Sequence, residues 1–188
     1  MSAQPEPFEA PVAAPFGLSA WLQANQEAFS GPVSNKVVWR DSDHIFMIIR
    51  GPNARSDFHI DPYDEIFLQL EGSVRVDLMT ENGREQHWIH KGELMLVPAG
   101  VPHSPLRPEG TWGLVIERPR PDDMLDELVW FCEVCNEEIH RVQFHVSDIE
   151  TQLAKALGEY NSDPALRTCP NGHLNPVPQP FAEVPPEQ

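Results

Sequence analysis

Between Lys36 and Glu117 the chain is cut into short apolar runs, each closed by a Gly, Pro, Asn or Asp turn. The runs are KVVWR (36–40), HIFMIIRG (44–51), EIFLQLEG (65–72), SVRVDLMT (73–80), REQHWIH (84–90), ELMLVP (93–98) and TWGLVIER (111–118). Val74, Val76 and Leu78 alternate with Arg75 and Asp77, the period of two expected of a half-buried strand. Turn signals fall at Pro62-Tyr63-Asp64, Glu71-Gly72, Lys91-Gly92 and Ala99-Gly100, and Asn82-Gly83 predicts a tight hairpin. Short strands with closely spaced turns predict an all-β-dominated antiparallel sandwich or barrel.

The flanks read differently. Residues 1–16 are a loose Pro-rich arm, and Ser19 caps a short helix whose Trp21, Leu22, Asn25 and Phe29 share a face before Ser30-Gly31-Pro32 ends it. The barrel is expected over 17–121. An extension over 122–175 carries all three cysteines, a strand IHRVQFHV (139–146) and one helix. Ser147 and Glu150 form its capping box, Ile149, Leu153 and Leu157 line one face, and Gly158 closes it. Residues 176–188 hold too many prolines to pack and read as a tail.

Composition excludes several roles. The 188 residues suit a single domain, and 13 Lys+Arg against 29 Asp+Glu leave a formal net charge of −16. Such a chain repels phosphate backbones, so neither nucleic acid nor anionic membrane is expected as a partner. No apolar run reaches the ~20 residues that span a bilayer. The start MSAQPEPFEAPVAAPF has neither the basic region nor the apolar stretch of a secretory signal, and a cytoplasmic protein is expected. An odd number of cysteines, two of them spaced Cys132-x-x-Cys135, suits a metal or redox site better than a disulfide scaffold.

Two segments carry the chemistry. The first runs from Gly51 through Arg55, His59 and Asp61 to Glu65, with Gly72 beyond; the second reads Gly92-x5-Pro98-x-Gly100-x-x-His103-x3-Arg107. His59 precedes the Asp61-Pro62 turn and Glu65 opens the next run, so a hairpin brings both side chains to one face. His103 follows the Pro98–Pro102 turn and enters from a neighbouring strand. Two imidazoles and a carboxylate are the facial ligand set of non-haem Fe(II) oxygenases, with positions left for substrate and O₂.

These paired segments resemble the two motifs of the cupin superfamily, small conical barrels of double-stranded β-helix or jelly-roll form with a metal inside. The common first motif is His-x-His-x3-Glu; here Asp61 replaces the second His, which leaves three ligands, His59, Glu65 and His103. Longer strings narrow the resemblance. Gly51-Pro52-Asn53, Arg55-x-Asp57-Phe58-His59-x-Asp61-Pro62, His103-Ser104-Pro105-x-Arg107-Pro108 and Val115-Ile116-Glu117-Arg118 are similar to the 3-hydroxyanthranilate 3,4-dioxygenase family. Trp130-Phe131-Cys132-x-x-Cys135 and Arg167-x-Cys169-Pro170 resemble its bacterial members. The likeness runs from about Trp21 to about His173.

The resemblance implies an Fe(II)-dependent ring-cleaving dioxygenase that takes 3-hydroxyanthranilate and O₂ to 2-amino-3-carboxymuconate semialdehyde, which cyclises to quinolinate. By the same likeness Arg107 binds the substrate carboxylate, for which a planar bidentate cation is suited. Arg55 matches the residue on the dioxygen side, where fixed positive charge stabilises developing negative charge. Glu117 lies near the substrate amine and hydroxyl, Glu65 also borders substrate, and Asn35 lies at the pocket mouth. No nicotinamide or flavin is expected, because both oxygen atoms enter the product and no Gly-x-Gly-x-x-Gly run occurs. The resemblance also favours a homodimer.

Cys132, Cys135 and Cys169 look like parts of a rubredoxin-like four-cysteine site for a second iron or zinc. The family pattern Cys-Pro-x-Cys-Gly departs here to Cys169-Pro170-Asn171-Gly172-His173. Three outcomes stay open: His173 as fourth ligand, giving a Cys₃His set; water in that position; or a vacant site. His44, His87, His90, His140 and His145 receive no role. Two other readings of the barrel also stay open, a dioxygenase for another aminophenol or catechol and a non-catalytic cupin that senses an aromatic acid.

Overall fold

The computed structural model describes residues 14–29, 34–39, 42–147 and 151–186. Helix α1 (Leu18–Ala24) and a short 3-10 turn (Gln26–Ala28) precede β1 (Ser34–Val37), β2 (Ile45–Arg50), β3 (Asp57–Ile60) and β4 (Glu65–Glu71). Strands β5 (Ser73–Thr80), β6 (Gly83–His90), β7 (Leu94–Val97), β8 (His103–Leu106) and β9 (Trp112–Glu117) follow. Strands β10 (Asp126–Phe131) and β11 (Glu138–Phe144) and helix α2 (Gln152–Ser162) complete the order. The strands form two antiparallel sheets, in the orders β1-β2-β9-β4-β7 and β11-β10-β3-β8-β5-β6.

Strand alternation decides what faces inward. In β4 Glu65, Phe67 and Gln69 are buried and Ile66 is exposed; in β9 Gly113, Val115 and Glu117 are buried. Register places Phe67 opposite both Val115 and Met95, and Met47 opposite Val115, so apolar side chains meet across the first sheet. Val76 and Leu78 lie opposite Pro105 and His103 in the second sheet. Met47, Phe67, Val74, Val76, Val115, Leu128 and Trp130 join both sheets in one core. Each such burial contributes roughly 1.5–3 kcal/mol, and the inward polar residues of β3, β4, β8 and β9 interrupt that core on purpose-built ground, the site described below.

Several expectations are corrected. Strands β3, β8 and β10 lie outside the predicted runs. The hairpin turn is Glu81-Asn82, with Gly83 at φ +98° opening β6 opposite Thr80. Helix α2 starts at Gln152, whose side-chain oxygen accepts from the Ser147 amide at 2.8 Å, and it runs through Gly158 for another turn. Burial of Tyr160 against Trp130, with ring centroids 4.4 Å apart, outweighs the helix-breaking tendency of that glycine. Glu150, Ile149, Ser30-Gly31-Pro32 and most of the amino-terminal arm lie outside the described residues. Strand β10 pairs directly with β3, so the six-stranded sheet runs through the boundary expected near residue 121.

The Pro-rich tail packs in extended form. Phe181 donates its amide to the Asn53 carbonyl at 2.8 Å and lies under the Arg75 guanidinium at 4.8 Å, while Glu183 pairs with Arg75. That cover explains why Arg75 and Asp77, on the outward face of β5, are buried. On the other sheet the outward face stays apolar and open: Ile66, Leu94 and Leu96 are exposed side by side, next to a groove of about 380 Å³ lined by Phe16, Trp39, Phe46 and Leu114. No helix among the described residues is long and apolar enough to cross a membrane.

Candidate metal centre and substrate pocket

His59 and His103 are direct register partners in β3 and β8, and Glu65 opens β4 of the facing sheet. One donor atom from each lies within 4.8 Å of the others, and all three residues are buried. Local bonds aim the rings. The Val101 carbonyl engages His103 Nδ1 at 3.0 Å, which leaves Nε2 against Glu65 Oε2. Asp126 engages His59 Nε2 at 2.6 Å and leaves the other ring nitrogen as a donor. Asp61, in the place of the second motif histidine, accepts the Tyr63 amide at 2.7 Å and an Arg120 N–H at 2.7 Å, and so shapes the turn between His59 and Glu65.

The donor set fits a divalent cation. Burial works to raise the Glu65 carboxyl, but the charge of His103, with those of His59 and Arg120, brings it down to about 2. Its Oε2 is buried against His103 without a well-directed hydrogen bond. A carboxylate held ionised and under-bonded between two imidazoles is the arrangement that a metal completes. The two-nitrogen, one-oxygen set leaves further coordination positions for ligands.

Around this centre is a narrow cavity of about 50 Å³, lined also by Asn35, Arg55, Arg107 and Glu117. Arg107 is 1% exposed, yet among the described residues its guanidinium hydrogen-bonds only to the neutral Gln69 oxygen, at 3.2 Å, and its Nε has no partner. Burial, with the nearby Arg55 charge, brings its pKa down to about 10. Gly113 makes room for it: a Cβ there would sit 3.0 Å from Arg107 Cζ and closer to Nη1. Asn53 fixes the Arg107 backbone, accepting its amide at 2.8 Å. Glu117 gives one oxygen to Arg120 at 2.5 Å and keeps Oε1 buried without a partner. Burial and the Glu65 charge push its carboxyl well above the usual range. Asn35 donates to the Met47 sulfur at 3.0 Å. Arg55 forks onto the buried Asp57 at 3.0 and 2.5 Å, so its charge already has a partner.

The structure brings the two motif segments together around one cavity, and adds Asp57, Gln69, Gly113, Arg120 and Asp126, to which the sequence assigns no role. Asp57 stood inside a quoted motif, and Arg120 follows the Glu117 strand in a chain poor in basic residues. Asp126 gave no local signal.

The cysteine cluster is also assembled. Cys132, Cys135, Cys169 and His173 place four donor atoms within 4.8 Å of one another. His173 Nδ1 is 3.6 Å from the Cys132 sulfur and 3.5 Å from that of Cys169, and the Cys135 and Cys169 sulfurs are 3.9 Å apart. Amides of Val134 and His173 donate to Cys132 and Cys169, and Asn171 to Cys135. The Glu137 backbone and Asn171 bring the Cys135 thiol down to about 6. A left-handed Gly172, φ +82°, turns the second knuckle so that His173 comes back to Cys169. The remaining histidines lie apart: His140 packs on Trp130, His145 meets the Met124 carbonyl, His90 meets Ser73, His87 meets Glu85 and His44 packs near Phe46.

Two antiparallel sheets closed around a two-histidine, one-carboxylate centre define a cupin barrel. Solved structures similar to the chain include a cupin-2 domain protein from Shewanella frigidimarina (21% identity, TM-score 0.44, 52% of this chain and 91% of that one). Another is a cupin superfamily protein from Desulfitobacterium hafniense (15% identity, TM-score 0.44, 57% and 93%). Sequence carries the comparison further. The family model described as 3-hydroxyanthranilic acid dioxygenase matches residues 12–161. A relative from Bacillus thuringiensis named 3-hydroxyanthranilate 3,4-dioxygenase is 48% identical over 86% of this chain and 91% of its own. Relatives of the same name from Burkholderia lata and Xanthomonas euvesicatoria are 38% and 39% identical over 86% and 90% of this chain and 94% and 97% of their own. The chain belongs to the 3-hydroxyanthranilic acid dioxygenase family.

Proposed function

We propose that the chain is an Fe(II)-dependent dioxygenase that opens the ring of 3-hydroxyanthranilate between carbons 3 and 4, with His59, Glu65 and His103 holding the iron. The observation that carries this reading is Arg107, a buried guanidinium with a neutral partner and an unbonded Nε beside the donor cluster. An unpaired buried charge is costly, so the site is built for an anion that arrives with the ligand. The substrate carboxylate is that anion.

Iron held by His59, Glu65 and His103 would supply the redox-active Lewis acid through which substrate and O₂ exchange electron density. The chain's own residues do the rest. Arg107 forks onto the carboxylate and fixes which ring edge faces the metal. Glu117 Oε1 accepts from the amine or hydroxyl, and its raised affinity for protons suits it to take one as the substrate binds. Arg55, held by Asp57, supplies fixed positive charge on the dioxygen side. Asn35 borders the mouth. A cavity of about 50 Å³ holds only a water or two, so lining side chains, Leu153 among them, move aside for an aromatic acid. Both atoms of O₂ enter the product, and the reaction balances without an added reductant.

A second metal, zinc or iron, sits at Cys132, Cys135, Cys169 and His173 in this reading; the preformed N–H to sulfur bonds and the low Cys135 thiol support it. The three free thiols suit a reducing cytoplasm. The exposed row Ile66, Leu94 and Leu96 supports a homodimer. The test is anaerobic loading with Fe(II), then air and 3-hydroxyanthranilate, following the ring-opened semialdehyde by absorbance. Iron-loaded protein that consumes no 3-hydroxyanthranilate but turns over another aminophenol would refute the substrate assignment.

A further inference from the structure

Behind the metal centre lies a cation that neither lines the cavity nor donates to His59, Glu65 or His103. The Arg120 side chain is fully buried. Its Nε and Nη2 fork onto Asp126 at 2.7 and 2.5 Å. Nη1 donates to Glu117 at 2.5 Å and to the Arg118 carbonyl at 2.6 Å, and Nη2 donates also to Asp61 at 2.7 Å. Each of the three carboxylates leads to a different part of the site. Asp126 holds His59 Nε2 at 2.6 Å. Asp61 shapes the turn between His59 and Glu65 by accepting the Tyr63 amide. Glu117, its other oxygen pinned, leaves Oε1 to the cavity.

We infer that Arg120 is a positioning residue that sets, through one guanidinium, both the orientation of the metal ligand His59 and the placement of Glu117 against the substrate. A guanidinium is suited to this because its donors lie in a fixed plane and fork, so three acceptors are held at fixed mutual angles. A lysine ammonium would supply charge but not the spread. Flanking Pro119 and Pro121 restrict the backbone that presents it. Asp126 comes from β10 and Glu117 from β9, strands of different sheets, so the hub ties the two sheets together at the metal. Partners that orient a ligating histidine typically change metal affinity 10–100-fold when lost.

The metal arm of this inference rests on the donor assignment alone; the substrate arm rests on the function proposed above. Arg120→Lys and the near-isosteric Asp126→Asn are compared with wild type, each first checked for a folded barrel by near-UV circular dichroism. Co(II) affinity is read by chelator competition without substrate, together with the Co(II) ligand-field spectrum. Both variants are expected to bind Co(II) roughly 10–100-fold more weakly and with an altered spectrum. Arg120→Lys is also expected to raise KM for 3-hydroxyanthranilate at saturating Fe(II), by more than Asp126→Asn does, because only it releases Glu117. A folded Arg120→Lys with wild-type Co(II) affinity and spectrum would overturn the inference. If that variant does not fold, wild-type affinity in Asp126→Asn overturns it instead. Weak Co(II) binding with no turnover of 3-hydroxyanthranilate even by wild type would refute the substrate and leave the positioning role standing.

Discussion

Gly113→Ala is the smallest change that interrogates the anion site without touching an ionisable group. Gly113 lies in β9, paired with Ile49 and Gln69 on either side, and its backbone is not in the left-handed region. Alanine is therefore tolerated by the strand itself. Its methyl, however, would lie 3.0 Å from Arg107 Cζ and Nη2, and nearer still to Nη1. Arg107 is 1% exposed and its backbone is pinned by Asn53, so the guanidinium cannot retreat without losing Gln69. Overpacking of this kind costs about 1–3 kcal/mol in stability. The larger effect falls on binding: a charged hydrogen bond moved out of line forfeits roughly 1.5–3 kcal/mol, which at 1.4 kcal/mol per decade is about a 10- to 150-fold rise in KM. The assay is steady-state turnover of 3-hydroxyanthranilate by Fe(II)-loaded protein, with thermal melting and Co(II) affinity as controls. A folded Gly113→Ala enzyme with wild-type KM would show that Arg107 does not bind the substrate carboxylate where the structure places it.

Other perturbations separate the remaining parts. Ala in place of His59, Glu65 or His103 is expected to abolish turnover and tight Fe(II) binding in a folded barrel, since none of the three belongs to the apolar core cluster; circular dichroism and metal analysis check this. Arg107→Ala is expected to raise KM by the equivalent of roughly 2–5 kcal/mol, whereas Arg55→Ala lowers kcat more than KM, and identical kinetic defects would refute that division. Cys132→Ser should remove a second equivalent of metal and lower the melting temperature while sparing the barrel iron; wild type with one metal per chain would contradict the Cys₃His site. Truncation after Pro180 removes Phe181 and Glu183 from Arg75, and a lower melting temperature is expected in a thermal scan.

The strands that sequence reasoning found are those whose inward side chains are apolar, such as β5 with Val74, Val76 and Leu78. It missed β3 and β8 for a physical reason: DFHI and HSPL spend their inward positions on His59 and His103, so the hydrophobic alternation that marks a strand is replaced by the site itself. Motif spacing recovered those histidines where periodicity could not. Gly158 misled because burial of Tyr160 two residues later is worth more than a glycine costs in a helix. Asp126 was out of reach, since its pairing with His59 depends on β10 aligning beside β3, a long-range register no local pattern encodes.

Two of the buried arginines, Arg107 and Arg120, show how charge is allotted around the metal centre. Burial lowers the proton affinity of both, but for Arg120 the three carboxylates of Asp126, Glu117 and Asp61 more than restore it, and its pKa rises. Arg107 has no such partners and ends lowered. Exchanging the two environments in thought is instructive. A substrate carboxylate offered to Arg120 would have to displace one of three internal anions, with nothing gained in charge pairing. The same carboxylate offered to Arg107 would add to the Glu65 charge nearby the first carboxylate hydrogen-bonded to that guanidinium, and a partner for its idle Nε. In the proposed function, binding would draw its free energy from a desolvation cost that the fold already carries, and the carboxylate would be oriented by a fork whose position Gly113 and Asn53 set. On the proposed reading, the saturated arginine holds the machinery in place and the unsaturated one selects what enters it.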